Sequence, residues 1–411
     1  MLTNTLLNTG SSVVYFFLQW LCTVLAVRLA NFESAGVYAL AISFTNLFYF
    51  IALFGVRNYQ LSDAEHRFSD SQFFAAKLLA AMTAFFAFCV ALGISRQSAY
   101  VKACYAVFMV FKLGEAWTIG YFPLLQLRND YRRLALSYTA KGMLSTAAFA
   151  AALAVTHDLL TAVICQTAGL GACILLLDIP HFQRLKVGKP AFRGSVDILR
   201  ACFPLALESL TVPLMNYVTR ASVERELGDY LLGQYSSLSF VIVVLSTFAT
   251  TVFVVFIPRI SAWKLEKSWG RIGKYCAAMT GGMAGLGILC IGAGVLLGPA
   301  VCSLIFGKEI LENIDLLVPL IVTAVALMVK SFYAAILEPL ERRWTLLWGE
   351  CAGTALCAVT AGMLTRRLGM KGTNLSYLIG ILLQLIVLAV CAISVIRKES
   401  REEKKNGNER P

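Results

Sequence analysis

The sequence predicts an all-α integral membrane protein with about twelve transmembrane helices in two six-helix bundles. Three observations carry that prediction: the bulk composition, the length of the apolar blocks and the placement of the basic residues. Apolar residues make up 58% of the 411-residue chain and charged residues only 15%. A soluble domain carries roughly 45–50% apolar and about 25% charged residues. This chain has too little polar surface to cover itself in water, so lipid must cover part of it.

The apolar residues fall in long blocks, and a span needs roughly 20 of them to cross a hydrocarbon core of about 30 Å. In lipid the backbone must satisfy its own hydrogen bonds, which leaves helices or closed barrels. Barrel strands alternate apolar and polar residues over about ten positions. These blocks are apolar on all sides, so helices are expected. They place spans at 9–29, 35–56, 72–95, 102–124, 134–156, 159–178, 199–219, 233–257, 275–298, 314–337, 345–365 and 373–396. Segment 299–313, with Phe306, Gly307 and Lys308, reads as a loop or half-helix.

The basic residues orient these spans. With a cytoplasmic N-terminus, 25 of the 36 Lys and Arg fall on the cytoplasmic side and 9 on the other, while Lys112 and Lys330 stay inside spans. Such a bias predicts that both termini are cytoplasmic and that the span count is even. The net charge of +12 belongs to loops that meet anionic lipid. No basic helix with interleaved aromatics occurs, and no nucleic-acid partner is expected. Residues Met1–Gly10 lack Lys and Arg, which argues against a cleaved signal peptide. The first block is read as a retained span.

The most basic internal loop, Pro180 to Arg200, separates the two sets of six. The expected organisation is an N-terminal bundle over 1–190, a C-terminal bundle over 191–396 and a charged, disordered, cytoplasmic tail over 397–411. A short repeat agrees with this division. Gly36-Val37-Tyr38 followed by Ser43-Phe44 is matched by Gly233-Gln234-Tyr235 followed by Ser239-Phe240, and each span ends near an arginine, Arg57 or Arg259.

Twelve cysteines sit within or at the ends of apolar blocks with no C-x-x-C, and read as small buried hydrophobes. His66, His157 and His181 lie in separate loops. No metal site and no cofactor are expected. A Walker A loop, G-x-S-x-G and H-E-x-x-H are all absent, so the chain is not read as an enzyme.

Charges inside the bilayer are costly unless they face protein or water, so the few in these spans are the most informative residues. Lys112 and Glu115 are three apart on one face of span four and can pair. Glu208 in span seven and Lys330 in span ten have no local partner and are expected to face a water-filled cavity; Glu350 opens span eleven. Arg28, Arg57, Arg220 and Glu338 lie near span ends, where they can snorkel. Pro204 and Pro213 flank Glu208, and proline removes a backbone donor and kinks a helix. Kinked spans with freed carbonyls line cavities in transporters. Span nine is rich in glycine, from Gly281 to Gly298, which suits close helix packing.

Two runs are more specific. Phe32-Glu33-Ser34-Ala35-Gly36-Val37-Tyr38-Ala39-Leu40 and Phe54-Gly55-Val56-Arg57-Asn58-Tyr59-Gln60-Leu61-Ser62-Asp63 resemble the first outer loop and the end of span two in bacterial polysaccharide-exporter flippases. The turn Phe306-Gly307-Lys308-Glu309 is similar to that family as well, whereas Asn216 to Arg225 carries few family-like residues. The family is the oligosaccharide flippase family of the multidrug/oligosaccharidyl-lipid/polysaccharide exporter superfamily. The resemblance implies a V-shaped pair of six-helix bundles around a central cavity in a bacterial inner membrane. It implies a lipid-linked oligosaccharide, carried on undecaprenyl diphosphate, moved by alternating access with proton or sodium coupling. On that reading Lys112, Lys330, Arg57, Arg28 and Arg220 are the candidate cations for the diphosphate, and Glu208, Glu115 and Glu350 the candidate coupling carboxylates. A monomer is expected, with a polysaccharide polymerase and glycosyltransferases as partners. Three other readings are weighed: a cation-coupled small-molecule exporter on the same fold, a non-transporting membrane scaffold, and a flippase for a peptidoglycan precursor, whose relatives tend to carry extra spans that this chain lacks.

Overall fold

The computed structural model describes residues 2–63, 67–246, 260, 262–337, 340 and 343–408. His66, Arg259, Glu338 and positions 247–257 of the eighth expected span lie outside them. Every regular element among the described residues is helical.

The first helices are α1 (Leu2–Leu29), α2 (Phe32–Leu53), α3 (Val56–Ser62), α4 (Asp70–Ile94), α5 (Ala99–Leu127), α6 (Tyr131–Thr156) and α7 (Leu159–Cys173). Short polar residues start them by accepting from otherwise unpaired first-turn N–H groups. Asn31 accepts from Ser34 at the head of α2, and Asp158 from Thr161 at the head of α7, both at 2.8 Å. Ser69 and Gln72 form a reciprocal capping box at α4. A break at Phe54 and Gly55, both with positive φ, separates α2 from α3. Gly55 is required there twice over, because a Cβ would also meet Leu205 Cβ at 3.0 Å. After α7 comes one π-helical turn, Ile174–Asp178, and then α8 (Ile179–Arg184).

The chain continues with α9 (Ser195–Leu227), α10 (Asp229–Leu238), α11 (Trp269–Phe306), a 3₁₀ segment (Lys308–Leu316), α12 (Leu317–Leu337) and α13 (Arg343–Asn408). The last of these is two helices joined at Gly369, whose backbone is left-handed (φ 62°). Side chains pair in antiparallel order across that point: Thr365 with Thr373 and Thr360 with Ser376, each at 2.8 Å.

Ten helices among the described residues are long and apolar enough to cross a membrane. Helix α5, which carries Lys112 and Glu115, is not among the ten, and Trp344–Arg401 counts once for the two arms about Gly369. With these two additions helices lie at all twelve expected span positions, the eighth being described only through Ser246. Two local expectations are corrected. Positions 299–306 continue α11, so only 307–316 is irregular or 3₁₀. The tail is helical through Asn408 rather than disordered, because the last span simply runs on beyond its apolar stretch.

By contact the chain divides into Met1–Arg220 and Ala221–Pro411. The seventh span, expected to open the second half, packs largely with the first. Ile198 and Cys202 of α9 are buried against Val56, Phe73 and Ala76, and the preceding loop ties to α4 through Gln72 Nε2, which donates to the Arg193 carbonyl at 2.8 Å. The first unit has an aromatic interior in which Tyr38 packs on Phe108 and Phe149 and Phe108 stacks on Phe111. In the second unit Ile272, Phe332, Ile336, Leu388 and Ala392 form the core. The outer faces are apolar: Phe86, Ile288, Leu296 and Val359 are each more than 70% exposed. In water that surface would aggregate, whereas in a bilayer it meets hydrocarbon.

Candidate functional site

The charged groups inside the helices occur as buried pairs. Lys112 Nζ lies 2.9 Å from Glu115 Oε2, as the i, i+3 spacing on α5 requires. The ammonium sits 5.0 Å from the centre of the Tyr49 ring on α2, a cation–π contact. Glu115 is buried, with Tyr15 of α1 and Tyr49 within electrostatic reach.

A second pair in the same unit is not apparent from the sequence. Lys141 of α6 lies 3.3 Å from Asp178, and both are almost fully buried. Asp178 Oδ1 also accepts from Tyr121 and from Ser137, each at 2.7 Å. The π-helical turn ends at Asp178, and the extra residue in that turn alters which side chains face inward; such turns recur at functional sites. Sequence spacing assigns Lys141 to the cytoplasmic side and leaves Asp178 at a span end. The available signal is that Lys141 falls two helical turns inside its own span.

In the second unit Lys330 of α12 pairs with Glu350 of α13. The sequence assigns Lys330 no local partner and expects a water-filled cavity; the neighbouring helix supplies a carboxylate instead, and both residues are buried. The Glu350 carbonyl also accepts from Gln384 Nε2 at 2.9 Å, which fixes the first arm of α13 against the second.

The remaining candidates are dispersed. Arg28 is exposed in the last turn of α1. Arg220 donates to Ser43 Oγ of α2. Glu208 is half-buried on α9, which runs as one helix through Pro204 and Pro213. Arg57 of α3 lines a cavity of about 370 Å³ in the first unit, together with Gln60, Asp70 and Lys77. Lys77 Nζ donates to Gln60 Oε1 and to the Gly120 carbonyl. Lys77 and Gln60 are further polar groups that the sequence does not single out. Among the described residues no three His, Cys, Asp or Glu side chains gather as metal ligands.

Outside the spans, Asp158 caps α7 and joins it to α5. It accepts from the Thr161 hydroxyl and the Tyr100 hydroxyl, both at 2.7 Å. The Thr161 hydrogen bond holds its carboxyl below the usual carboxylate value.

No family model matches the chain. It is 23% identical over 303 residues to the capsular polysaccharide biosynthesis protein CapF of Staphylococcus aureus, covering 72% of this chain and 74% of that protein. It is similar in structure to an inward-facing multidrug resistance MATE family transporter of the MOP superfamily (TM-score 0.73, 14% identity, 95% of this chain and 96% of that one). It also resembles the eukaryotic MATE transporter AtDTX14 (TM-score 0.64, 14% identity, 98% of each chain). A third similar structure is a MOP superfamily transporter from Pyrococcus furiosus, described by a binding pocket of reverse polarity that suggests a different function (TM-score 0.63, 12% identity, 97% and 96%). The chain is therefore a multi-pass membrane protein whose fold is that of the structures it resembles.

Proposed function

We propose that the chain is a flippase that moves a lipid-linked oligosaccharide across the bacterial inner membrane by alternating access. The carrier is undecaprenyl diphosphate and the product feeds surface polysaccharide assembly. The observation that carries this reading is the charge pairing. Glu115, Asp178 and Glu350 each face a lysine, so these buried carboxylates are already neutralised and are poor attractors for a cationic drug. Among the described residues lining the first unit's cavity, Arg57 and Lys77 accompany a single carboxylate, Asp70. A diphosphate in low dielectric binds such groups strongly. The likeness to CapF, a capsular polysaccharide biosynthesis protein, supports a role in polysaccharide assembly. The reading includes cytoplasmic termini, a monomer, proton or sodium coupling, and a polymerase and glycosyltransferases as partners.

A cation-coupled multidrug-type exporter is the second reading, favoured by the likeness to a multidrug resistance transporter. Glu208, half-buried between two prolines, is its candidate coupling carboxylate.

The test is transbilayer movement of a fluorescent undecaprenyl-diphosphate-linked sugar in proteoliposomes, with and without a pH or sodium gradient. Protein-dependent movement supports the flippase, and its gradient dependence names the coupling ion. Absence of movement with correctly inserted protein, combined with gradient-driven export of a cationic dye, would replace it with the exporter.

A further inference from the structure

We propose that the cavity beside α4 in the first unit binds the phosphate headgroup of an anionic membrane lipid, with part of the acyl chain along its apolar wall. The inference uses the same cationic cavity as the proposed function, and a lipid headgroup bound there would compete with the carrier diphosphate.

The cavity lies among α2, α3, α4, α5 and α8 and is built with two ends. Its polar end holds Arg57, Gln60, Asp70 and Lys77. Arg57 Nε is buried with no hydrogen-bond partner, while the rest of the Arg57 side chain also faces Tyr138 of α6. A buried donor left without an acceptor is costly, and a guanidinium donor is matched best by a carboxylate or a phosphate oxygen. Among the described residues that line the cavity the one carboxylate is already engaged, because Asp70 Oδ1 accepts from Gln60 Nε2 at 3.2 Å. Lys77 spends two of its three donors on Gln60 and the Gly120 carbonyl and can give the third to a ligand. Among the described lining residues Arg57 and Lys77 therefore face one carboxylate, and an incoming anion offsets them.

The other end is apolar and opens outward. Leu78, Met82 and Phe85 line the cavity and are 39%, 60% and 48% exposed. Their spacing puts them on one face of α4, a membrane-crossing helix, so the opening meets lipid and not water. From Lys77 to Phe85 the wall rises about 12 Å at roughly 1.5 Å per residue. A volume of about 370 Å³ suits a headgroup and a short stretch of chain. Inorganic phosphate would leave the wall unused, and a zwitterionic lipid would bring a cation to an already cationic end. A phosphate-bearing anionic lipid uses both ends.

Trp117 lines the cavity and supplies the probe. The full-length protein is placed in nanodiscs, and its tryptophan fluorescence is titrated with phosphatidylglycerol or phosphatidylcholine brominated on the acyl chain. The expected result is a preference for the anionic lipid of about tenfold, from charge-assisted hydrogen bonds to phosphate. Trp117→Phe should remove the selective quenching. Arg57→Gln should abolish the preference, and Ala81→Phe, which fills the cavity without touching charge, should lower quenching by both lipids. Lys77→Gln is avoided because Lys77 ties three helices together. Equal quenching by the two lipids, or selective quenching that survives Trp117→Phe or both cavity variants, would overturn the site. Displacement of the brominated lipid by millimolar inorganic phosphate would overturn the lipid assignment in favour of a soluble anion.

Discussion

Removing one partner of the Lys330–Glu350 pair leaves a charge buried among helices. Such a loss costs about 3–5 kcal/mol, whereas replacing both partners with apolar residues of similar volume is often neutral. Lys330→Met should therefore lower thermal stability in detergent sharply, and Lys330→Met with Glu350→Leu should recover most of it. If the double variant is stable yet inactive in the proteoliposome assay, the pair serves transport as well as folding. Asp158 tests a different kind of group. Its folded-state pKa is depressed, so its contribution is complete above the ordinary value of 3.8 and is lost only as pH falls below it. Melting between pH 5 and 8 should show no step from Asp158, while Asp158→Ala should cost about 1 kcal/mol at all those pH values through loss of the α7 cap. The Lys112–Glu115 pair was legible because both partners lie on one helix, three residues apart. Lys141–Asp178 and Lys330–Glu350 were not, because each joins two helices and only packing sets their register.

Helix packing in lipid depends on close approach more than on burial of apolar area. Gly169 of α7 shows this: a Cβ there would meet the Leu144 carbonyl oxygen at 3.0 Å and Ser145 Cα at 3.1 Å on α6. The obstacle is backbone, which cannot rotate away. Gly169→Leu should destabilise the protein by about 1–3 kcal/mol, as overpacking does. Gly281→Leu should change stability by less than about 0.5 kcal/mol, because nothing lies within 4 Å of its Cβ position. Melting temperatures of the two variants in one detergent make the comparison. Close packing was expected for all of the glycine-rich α11, and the structure divides it. Gly287, Gly294 and Gly298 face Val325, Ile321 and Leu317 of α12, whereas Gly281, Gly282, Gly285 and Gly292 face open space. A run of glycines does not state which of them meets a neighbour; that depends on the helix face the neighbour occupies.

At the scale of the molecule the fully buried carboxylates among the described residues, Glu115, Asp178 and Glu350, are each paired with a lysine. For the flippase reading this means that cargo recognition should follow phosphate charge. Movement of the diphosphate-linked sugar in proteoliposomes should exceed that of an uncharged glycolipid of equal chain length by at least about tenfold. Equal rates for the two would count against a cationic path. Tyr38 and Tyr235, at matching points of the short internal repeat, are 1% and 3% exposed.

Composition and block length by themselves determined the membrane class, the helical content and the span count. Those properties follow from what each segment exposes to hydrocarbon, which is local. The i, i+3 pair on α5 and the cap residues that open α2, α4 and α7 are local for the same reason. Only the tertiary structure decided that Lys330 has a carboxylate partner, that Asp178 joins Lys141, that α9 packs with the first unit and that Arg57 and Lys77 meet around one cavity. Each of these depends on which faces of separate helices meet. Apolar residues cover these spans on all sides, so hydropathy carries no record of which face turns inward.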